Sequence, residues 1–435
     1  MKYKILMEAE YLIALSESKM TVLRAFSAKE KMIIRKLYES FTEKEAKTIR
    51  DIELHGYKNL KPTNHDFKAI EYYIKDKLEG TSLQDSAEWV HFGLTTWDAT
   101  NIAYALMLGE SLREVYVPAA KAVVEEIAHL AKTSADIPML ARTHGQPASP
   151  TTFGKEFRIF EARLERQLAQ ITNYTLQAKL NGATGNYNAL VAAYPRADWM
   201  AFSKKFILSL GKMRGVKLEA NMVTTQVEPH DSYVELFQAM QRFNSVLIGF
   251  NQDVWRYVSD GWIEQKPVAG EVGSSTMPHK INPWFLENSE GNLGMANAIL
   301  GFLAQKLPIS RLQRDLSDST VLRNIGTAFA HSLIGVEYLA NQLGRVEVNA
   351  ALARADLERH PEVVTEAIQT ILRREGIPMP YEKLKTLTRG KAVTLADIHE
   401  FIDSLEVSPK IRKELKQFTP SNYIGLAARL AKLRK

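Results

Sequence analysis

Residues Leu236 to Tyr257 read LFQAMQRFNSVLIGFNQDVWRY. Leu236, Phe237, Met240, Phe243, Leu247, Phe250, Val254 and Tyr257 recur at steps of three and four. Side chains at those steps lie on one face of a helix. Large aliphatic and aromatic residues sustained over about three heptads make that face a seam inside a helix bundle. A surface helix would carry a narrower and more mixed stripe.

The same period continues on both sides. Phe157, Phe160, Leu164, Leu168 and Ile171 step by three and four after Gly154. A helical pattern runs from Thr100 to Pro118 and resumes through Ala131. After Pro283 come two more patterns, Trp284 to Phe302 and Ile325 to Leu343. Gly291, Gly294 and Gly301 on the first of these suggest close helix contact. Residues 1 to about 90 read as helices of mixed polarity, with Thr42-Glu43-Lys44-Glu45 as a capped helix start. From Asn349 the pattern shortens, with turns at Gly376–Pro380 and Thr388–Lys391. No period-two strand pattern and no internal repeat stands out. The expectation is an all-α chain in three helical domains with a central long-helix bundle. The boundaries fall at 1–92, 93–346 and 347–435.

At 435 residues the chain exceeds what one core usually supports. It contains no cysteine, which excludes disulfides, thiolate zinc sites and cysteine nucleophiles. Glu8 and Glu10 interrupt the first apolar run, making it a poor signal peptide. No stretch approaches the ~20 apolar residues of a membrane span. A cytoplasmic enzyme is the simple reading. The net charge of +6 suits anionic small substrates. The basic tracts Lys410–Lys413 and Lys432–Lys435 read as solvated helix faces rather than nucleic-acid patches.

The chemistry concentrates in stretches between helices. Gly270-Glu271-Val272-Gly273-Ser274-Ser275-Thr276-Met277-Pro278-His279-Lys280-Ile281-Asn282-Pro283 joins backbone freedom to hydroxyl, imidazole, ammonium and amide groups. A Gly/Ser linker rarely carries such a set, and the Gly-x-x-x-x-Gly-Lys-Ser/Thr spacing of a phosphate loop is absent. This stretch reads as an active-site loop or lid. Thr63-Asn64-His65-Asp66 precedes a helix, where Thr63 or Asn64 can serve as the cap and His65 beside Asp66 suits anion binding or proton transfer. Thr95 and Thr96 sit where helix-capping hydroxyls belong, and the same groups can bind an anion. Arg142-Thr143-His144-Gly145-Gln146-Pro147 sets one imidazole on a tight loop between two long helices. Arg314 and Arg323 offer bidentate geometry for phosphate or carboxylate, with helix-capping ion pairs as the structural alternative.

From Gly273 to Pro283 the loop resembles the signature of the fumarase/aspartase superfamily, Gly-Ser-Ser-x-Met-Pro-x-Lys-x-Asn-Pro. His279 resembles the adenylosuccinate lyase branch. So do Thr63–Asp66, Arg142–Pro147, Thr225-Gln226-Val227-Glu228-Pro229-His230-Asp231, Arg311–Ser319 and Tyr381–Lys385. The likeness is closest to the enterobacterial type. It implies an all-helical homotetramer whose sites each draw on three subunits. It implies β-elimination of fumarate from adenylosuccinate, giving AMP, and from the succinyl-carboxamide ribotide of purine synthesis. It also implies Ser274 as base and His144 as acid; the residues alone do not choose Ser274 over His279 or His65. Substrate binding is implied for Asn64, His65, Asp66, Thr95, Thr96, Gln226, Ser275, Lys280, Asn282, Asn288, Arg314, Ser319, Thr320 and Arg323. No metal and no cofactor is implied.

Two departures bear on this reading. Related enzymes begin with an extended segment whose Gly-Arg-Tyr motif contacts the nucleotide, whereas this chain starts in a helix-like segment. Thr95-Thr96 stands where the family usually has Thr-Ser, which keeps the hydroxyl and adds a methyl. Two alternatives are another lyase of the superfamily, of argininosuccinate, malate or aspartate type, and a non-catalytic helical scaffold. His279 and Thr63–Asp66 argue against the first. Retention of Ser274, His144, Lys280 and Asn282 together argues against the second.

Overall fold

In the computed structural model the described residues are 1–59, 61–267, 270, 276–277, 279–388 and 393–433, with backbone alone for 386–388. Helices dominate. The seam helix spans Asp231–Ser259. Other long helices are Thr96–Ser111, Val117–Thr133, Phe153–Thr172, Trp284–Lys306 and Ile325–Gln342. No helix among the described residues is long and apolar enough to cross a membrane.

By its internal contacts the chain divides into two compact units. One comprises residues 1–118, 169–241 and 298–329; the other comprises 119–168, 242–297 and 330–435. In the first unit, Leu236, Phe237 and Met240 of the seam are fully buried. Phe237 meets Tyr233 and Phe329 edge-on, with ring centres 6.2 and 6.4 Å apart. In the second unit, Phe250 packs on Phe157 and Phe160 at 6.1 and 5.5 Å. Two buried polar pairs cross this apolar packing: Ser332 Oγ donates to Asn244 Oδ1 at 2.8 Å, and Asn251 Nδ2 donates to Ser289 Oγ at 3.0 Å. Such pairs fix the sliding register of helices that apolar contacts alone leave loose.

The first helix, Lys2–Glu17, is buried on nearly every side. Glu8 and Glu10, which break its apolar run, are buried too. Glu8 Oε1 lies 2.8 Å from His91 Nδ1, and Glu10 receives Arg35 Nε and the Tyr38 hydroxyl, each at 2.8 Å. A carboxylate removed from water needs such partners.

Several expectations need correction. The all-helical class holds, but the described residues also contain three two-stranded ladders: antiparallel β1 (Pro138–Thr143) with β2 (Gln146–Thr152), parallel β3 (Leu176–Ala178) with β4 (Leu218–Ala220), and antiparallel β5 (Ile263–Gln265) with β6 (Val346–Val348). Most are three residues long, too short for a period to show. In β1 the first three residues are all buried, so no alternation is visible. The helix broken at Pro118 is bridged by a π-type turn, Leu112–Tyr116. The wider turn accommodates a residue that lacks an N–H and crowds the preceding turn. Of the three glycines on Trp284–Lys306, Gly301 alone has a neighbour among the described residues, Gln241, within 4 Å of where a Cβ would stand.

Candidate active site

In the first unit the helix Thr96–Ser111 begins at Thr95, whose N–H donates to Asp98 Oδ2 at 2.9 Å. Asp98 and Lys179 are fully buried and paired, Nζ to Oδ1, at 2.9 Å. Asp98 also receives the N–H groups of Asn181 (3.1 Å) and Gly182 (3.1 Å), while Lys179 Nζ donates to the Gly182 carbonyl at 2.7 Å. Burial holds the Lys179 ammonium below its ordinary pKa, against the pull of Asp98. Asn101 completes the floor. Its amide donates to the Trp97, Asp98 and Lys179 carbonyls, and its oxygen accepts the Lys179 N–H at 2.8 Å. Asn181 and Gly182 thus join Asp98, Lys179 and Asn101 in a buried polar hub beneath Thr95, while Ala183, Thr184, Asn186 and Asn188, which follow, are exposed. The hub was not legible as such, because Asp98 and Asn181 are 83 residues apart.

Arg314 lies against the same helix. Its guanidinium is 4.1 Å from the centre of the Trp97 ring. Nη1 donates to Asp318 Oδ2 at 2.6 Å and Nη2 to Ser319 Oγ at 3.4 Å. The ion pair foreseen for a structural arginine is thus present, together with a contact to a second expected binder, Ser319. The Gln226 N–H donates to the Gln313 carbonyl at 3.3 Å, and its side-chain amide donates to the Ala183 carbonyl at 3.0 Å. Gln226 is thereby tied next to Arg314. Thr320 and Arg323 are exposed on the short helix Ser317–Leu322 and its end. Arg323, Asp318 and Asp66 are the charges that act on the Tyr104 hydroxyl, whose pKa burial raises.

The cap of Asp66–Leu78 is His65, whose Nδ1 accepts the Lys68 N–H at 3.1 Å. Thr63 and Asn64 do not cap it. Asn64 has φ +48°, a left-handed conformation, and the extended backbone that a cap needs comes one residue later. Asp66 pairs with Lys4 at 2.8 Å, and this holds its carboxyl low against the opposing effect of burial.

Two titratable groups passed unnoticed in the Gln226–Asp231 stretch. Burial raises the Glu228 carboxyl to about 7 and lowers the His230 imidazole to about 4, with nearby Arg314 adding to the second shift. Glu228 Oε2 accepts the His230 N–H at 2.9 Å.

In the second unit His144 and Gly145 form the two-residue turn between β1 and β2. Both have positive φ, +53° and +75°, as a type I′ hairpin turn requires. His144 is exposed at the tip, with no hydrogen-bond partner among the described residues. The strands behind it are fastened: Arg142 reaches Asp356 at 3.4 Å and lies over the Trp262 ring at 5.7 Å, and Ser149 bonds Glu366. Lys280 and Asn288 are exposed and Asn282 is half-buried; Asn288 Oδ1 accepts from Asn292 at 3.1 Å. Ser274 and Ser275 lie outside the described residues.

The long-helix core is that of a lyase, the class that two family profiles assign to the chain. A family profile described as lyase matches residues 10–301, and one described as adenylosuccinate lyase C-terminal matches 310–424. The fold is that of a fumarate lyase from Mesorhizobium sp. BNC1 (TM-score 0.74, 18% identity, 99% of this chain and 94% of that one). It is also that of a 3-carboxy-cis,cis-muconate lactonizing enzyme from Pseudomonas putida (TM-score 0.71, 18% identity, 99% and 93%). Similarity is much higher to adenylosuccinate lyases. Those of Vibrio cholerae (46% identity, 99% of this chain, 92% of the relative) and Escherichia coli K12 (44%, 98% and 91%) are examples. That of Dictyostelium discoideum is 46% identical over 98% of this chain and 91% of the relative. The chain belongs to the adenylosuccinate lyase family.

Proposed function

We propose that this chain eliminates fumarate from adenylosuccinate, giving AMP, and carries out the matching cleavage of the succinyl-carboxamide ribotide. The observation that carries this is the near full-length similarity to adenylosuccinate lyases from bacteria and Dictyostelium. A base takes a proton from the carbon beside a carboxylate of the succinyl group. The electron pair forms the fumarate double bond, the C–N bond breaks, and an acid protonates the departing nitrogen. Charge builds on the carboxylate before the bond breaks, so cationic and amide donors must meet it. Lys280 and Asn282 suit that task. Ser274 is the base and His144 the acid. Asn64, His65, Asp66, Thr95, Thr96, Gln226, Ser275, Asn288, Arg314, Ser319, Thr320 and Arg323 bind the nucleotide and the succinyl carboxylates.

The functional form is a cytoplasmic homotetramer of three-domain subunits that share their sites. Gly291 and Gly294 support the assembly, since no described residue lies within 4 Å of where a Cβ on either would stand, and Met295 beside them is 53% exposed. A bare small-residue face of this kind suits close approach of a helix from another copy. Absorbance during incubation with adenylosuccinate tests the reaction. Turnover by the parent that is lost in Ser274→Ala supports the reading. A folded tetrameric parent without turnover on either succinyl substrate sinks it.

A further inference from the structure

Trp97 is the second residue of the helix Thr96–Ser111 and is buried. It is surrounded by polar chemistry. The Arg314 guanidinium covers its ring at 4.1 Å, the separation of a planar cation stacked on an aromatic face. Asp318 and Ser319 take two of the guanidinium nitrogens. His230 meets the indole edge-to-face, with centroids 6.1 Å apart and planes at 73°. Tyr233 backs His230 in turn at 5.3 Å. Burial keeps His230 uncharged near neutral pH, so the stack carries the single positive charge of Arg314.

Two edges of the guanidinium are thus held by hydrogen bonds and one face by the indole. A guanidinium so held has a fixed plane, and a fixed plane is what bidentate recognition of an oxyanion requires. Core filling does not explain the choice of residue. Trp97 Nε1, Thr100 Oγ1 and His230 Nδ1 are all buried and have no hydrogen-bond partner among the described residues. A leucine would fill space here without burying an unpaired N–H, but would offer the guanidinium no aromatic face.

We infer that Trp97 is a positioning residue that holds the Arg314 guanidinium in the plane where it receives an anionic group of the ligand, phosphate or carboxylate. The inference rests on Arg314 as a substrate binder, and it makes Trp97 a determinant of affinity rather than of the chemical step. Leucine at 97 removes the aromatic face. Phenylalanine keeps a face and removes the N–H.

The test uses the full-length protein and two probes, AMP for the phosphate and fumarate for the carboxylate. Trp97→Leu should raise the KM for adenylosuccinate and the dissociation constant of one probe by about tenfold, with kcat within about twofold. Trp97→Phe should stay within about threefold. The probe whose binding weakens identifies the anion that Arg314 receives. If binding of neither weakens in Trp97→Leu, the inference falls. In an Arg314→Lys background no guanidinium plane remains to be held, so adding Trp97→Leu should change affinity by no more than about twofold. An undiminished step there would mean that Trp97 acts through general packing, and would overturn the assignment. Should Trp97→Leu fail to fold, the ligand-induced change in tryptophan fluorescence decides. It must be smaller in Trp97→Phe than in the parent, and an equal change overturns the inference. A parent that binds AMP but never turns over adenylosuccinate would sink the lyase reading and leave this one standing.

Discussion

The Thr95–Arg314 region and the His144 hairpin differ in how their groups are held. Around Thr95 the principal charged groups are held by bonds: Asp98 by Lys179 and two backbone N–H groups, Arg314 by Trp97 and Asp318. At the hairpin only the strands are fastened, and the imidazole stands exposed at the turn. Groups that recognise an anion gain from being fixed before it arrives, because no reorganisation is then needed on binding. A proton donor must meet a nitrogen that the substrate brings. Its surroundings are completed by substrate and, in the proposed tetramer, by other subunits.

The largest expected effect tests the exposed side. His144→Ala should lower kcat by about 10²–10⁴-fold, the usual worth of general acid–base help. Its melting temperature should stay that of the parent, since the ring fills no core. A variant that loses activity and stability together would mean that the hairpin tip is structural.

Lys179→Met tests the buried side. It leaves Asp98 without its cation in a site closed to water, and such a loss costs about 3–5 kcal/mol. Urea unfolding measures it. Combining it with Asp98→Asn should recover much of the loss, because the stranded charge is then gone. If the double variant is as unstable as Lys179→Met alone, the pair is not the source of the cost.

Two glycines sharpen the contrast at a smaller scale. Gly185 and Gly145 have nearly the same backbone, φ +81° and +75°. A methyl on Gly185 would overlap the Thr224 carbonyl, whereas one on Gly145 would meet no described residue within 4 Å. Gly145→Ala therefore bears only the left-handed strain, about 1–2 kcal/mol. Gly185→Ala adds an overpacking cost of about 1–3 kcal/mol. Equal losses in denaturant unfolding would show that the close packing of Gly185 on Thr224 yields as readily as the open turn.

What the sequence disclosed follows the same division. The bundle was legible because the three-four spacing runs unbroken from Leu236 to Tyr257, and local spacing is all a helix face needs. His144 stood out because Gly and Pro surround it. The hairpin beneath it did not, since β1 begins with three buried residues and gives no alternation. His65 as a cap was hidden by Asn64, a better capping type that takes up a left-handed backbone here. The Asp98–Lys179 pair was hidden more deeply. A lysine in sequence reads as surface, and nothing local marks one whose partner lies 81 positions away, the difference between 179 and 98. Nothing local marks Trp97 either, since its pairing with Arg314 exists only in the folded chain.

The last effect is a slope. Glu228 titrates at about 7 in the folded chain against an ordinary 4.5, and burial is the main cause, with Asp231 adding to it. Below pH 4.5 both states hold the proton and the contribution to stability is fully present. Between 4.5 and 7 the unfolded chain releases a proton that the folded chain keeps, so stability falls as pH rises, by up to about 1.4 kcal/mol per unit. His230 works in the opposite sense. Its folded value of about 4 lies below the ordinary 6.5, so the unfolded chain takes up a proton that the folded chain refuses as pH drops through that window. From 4.5 to 6.5 the two slopes oppose each other within one buried stretch. Glu228→Gln removes the first and leaves the second. The variant should gain stability relative to the parent as pH rises from 4.5 to 6.5, by up to about 1.4 kcal/mol per unit, and hold a constant difference above 7. Urea midpoints at pH 4.5, 5.5 and 6.5 measure this. Parallel curves would mean that the Glu228 carboxyl is already ionised in the folded chain at pH 5, and that its surroundings are wetter than its burial implies.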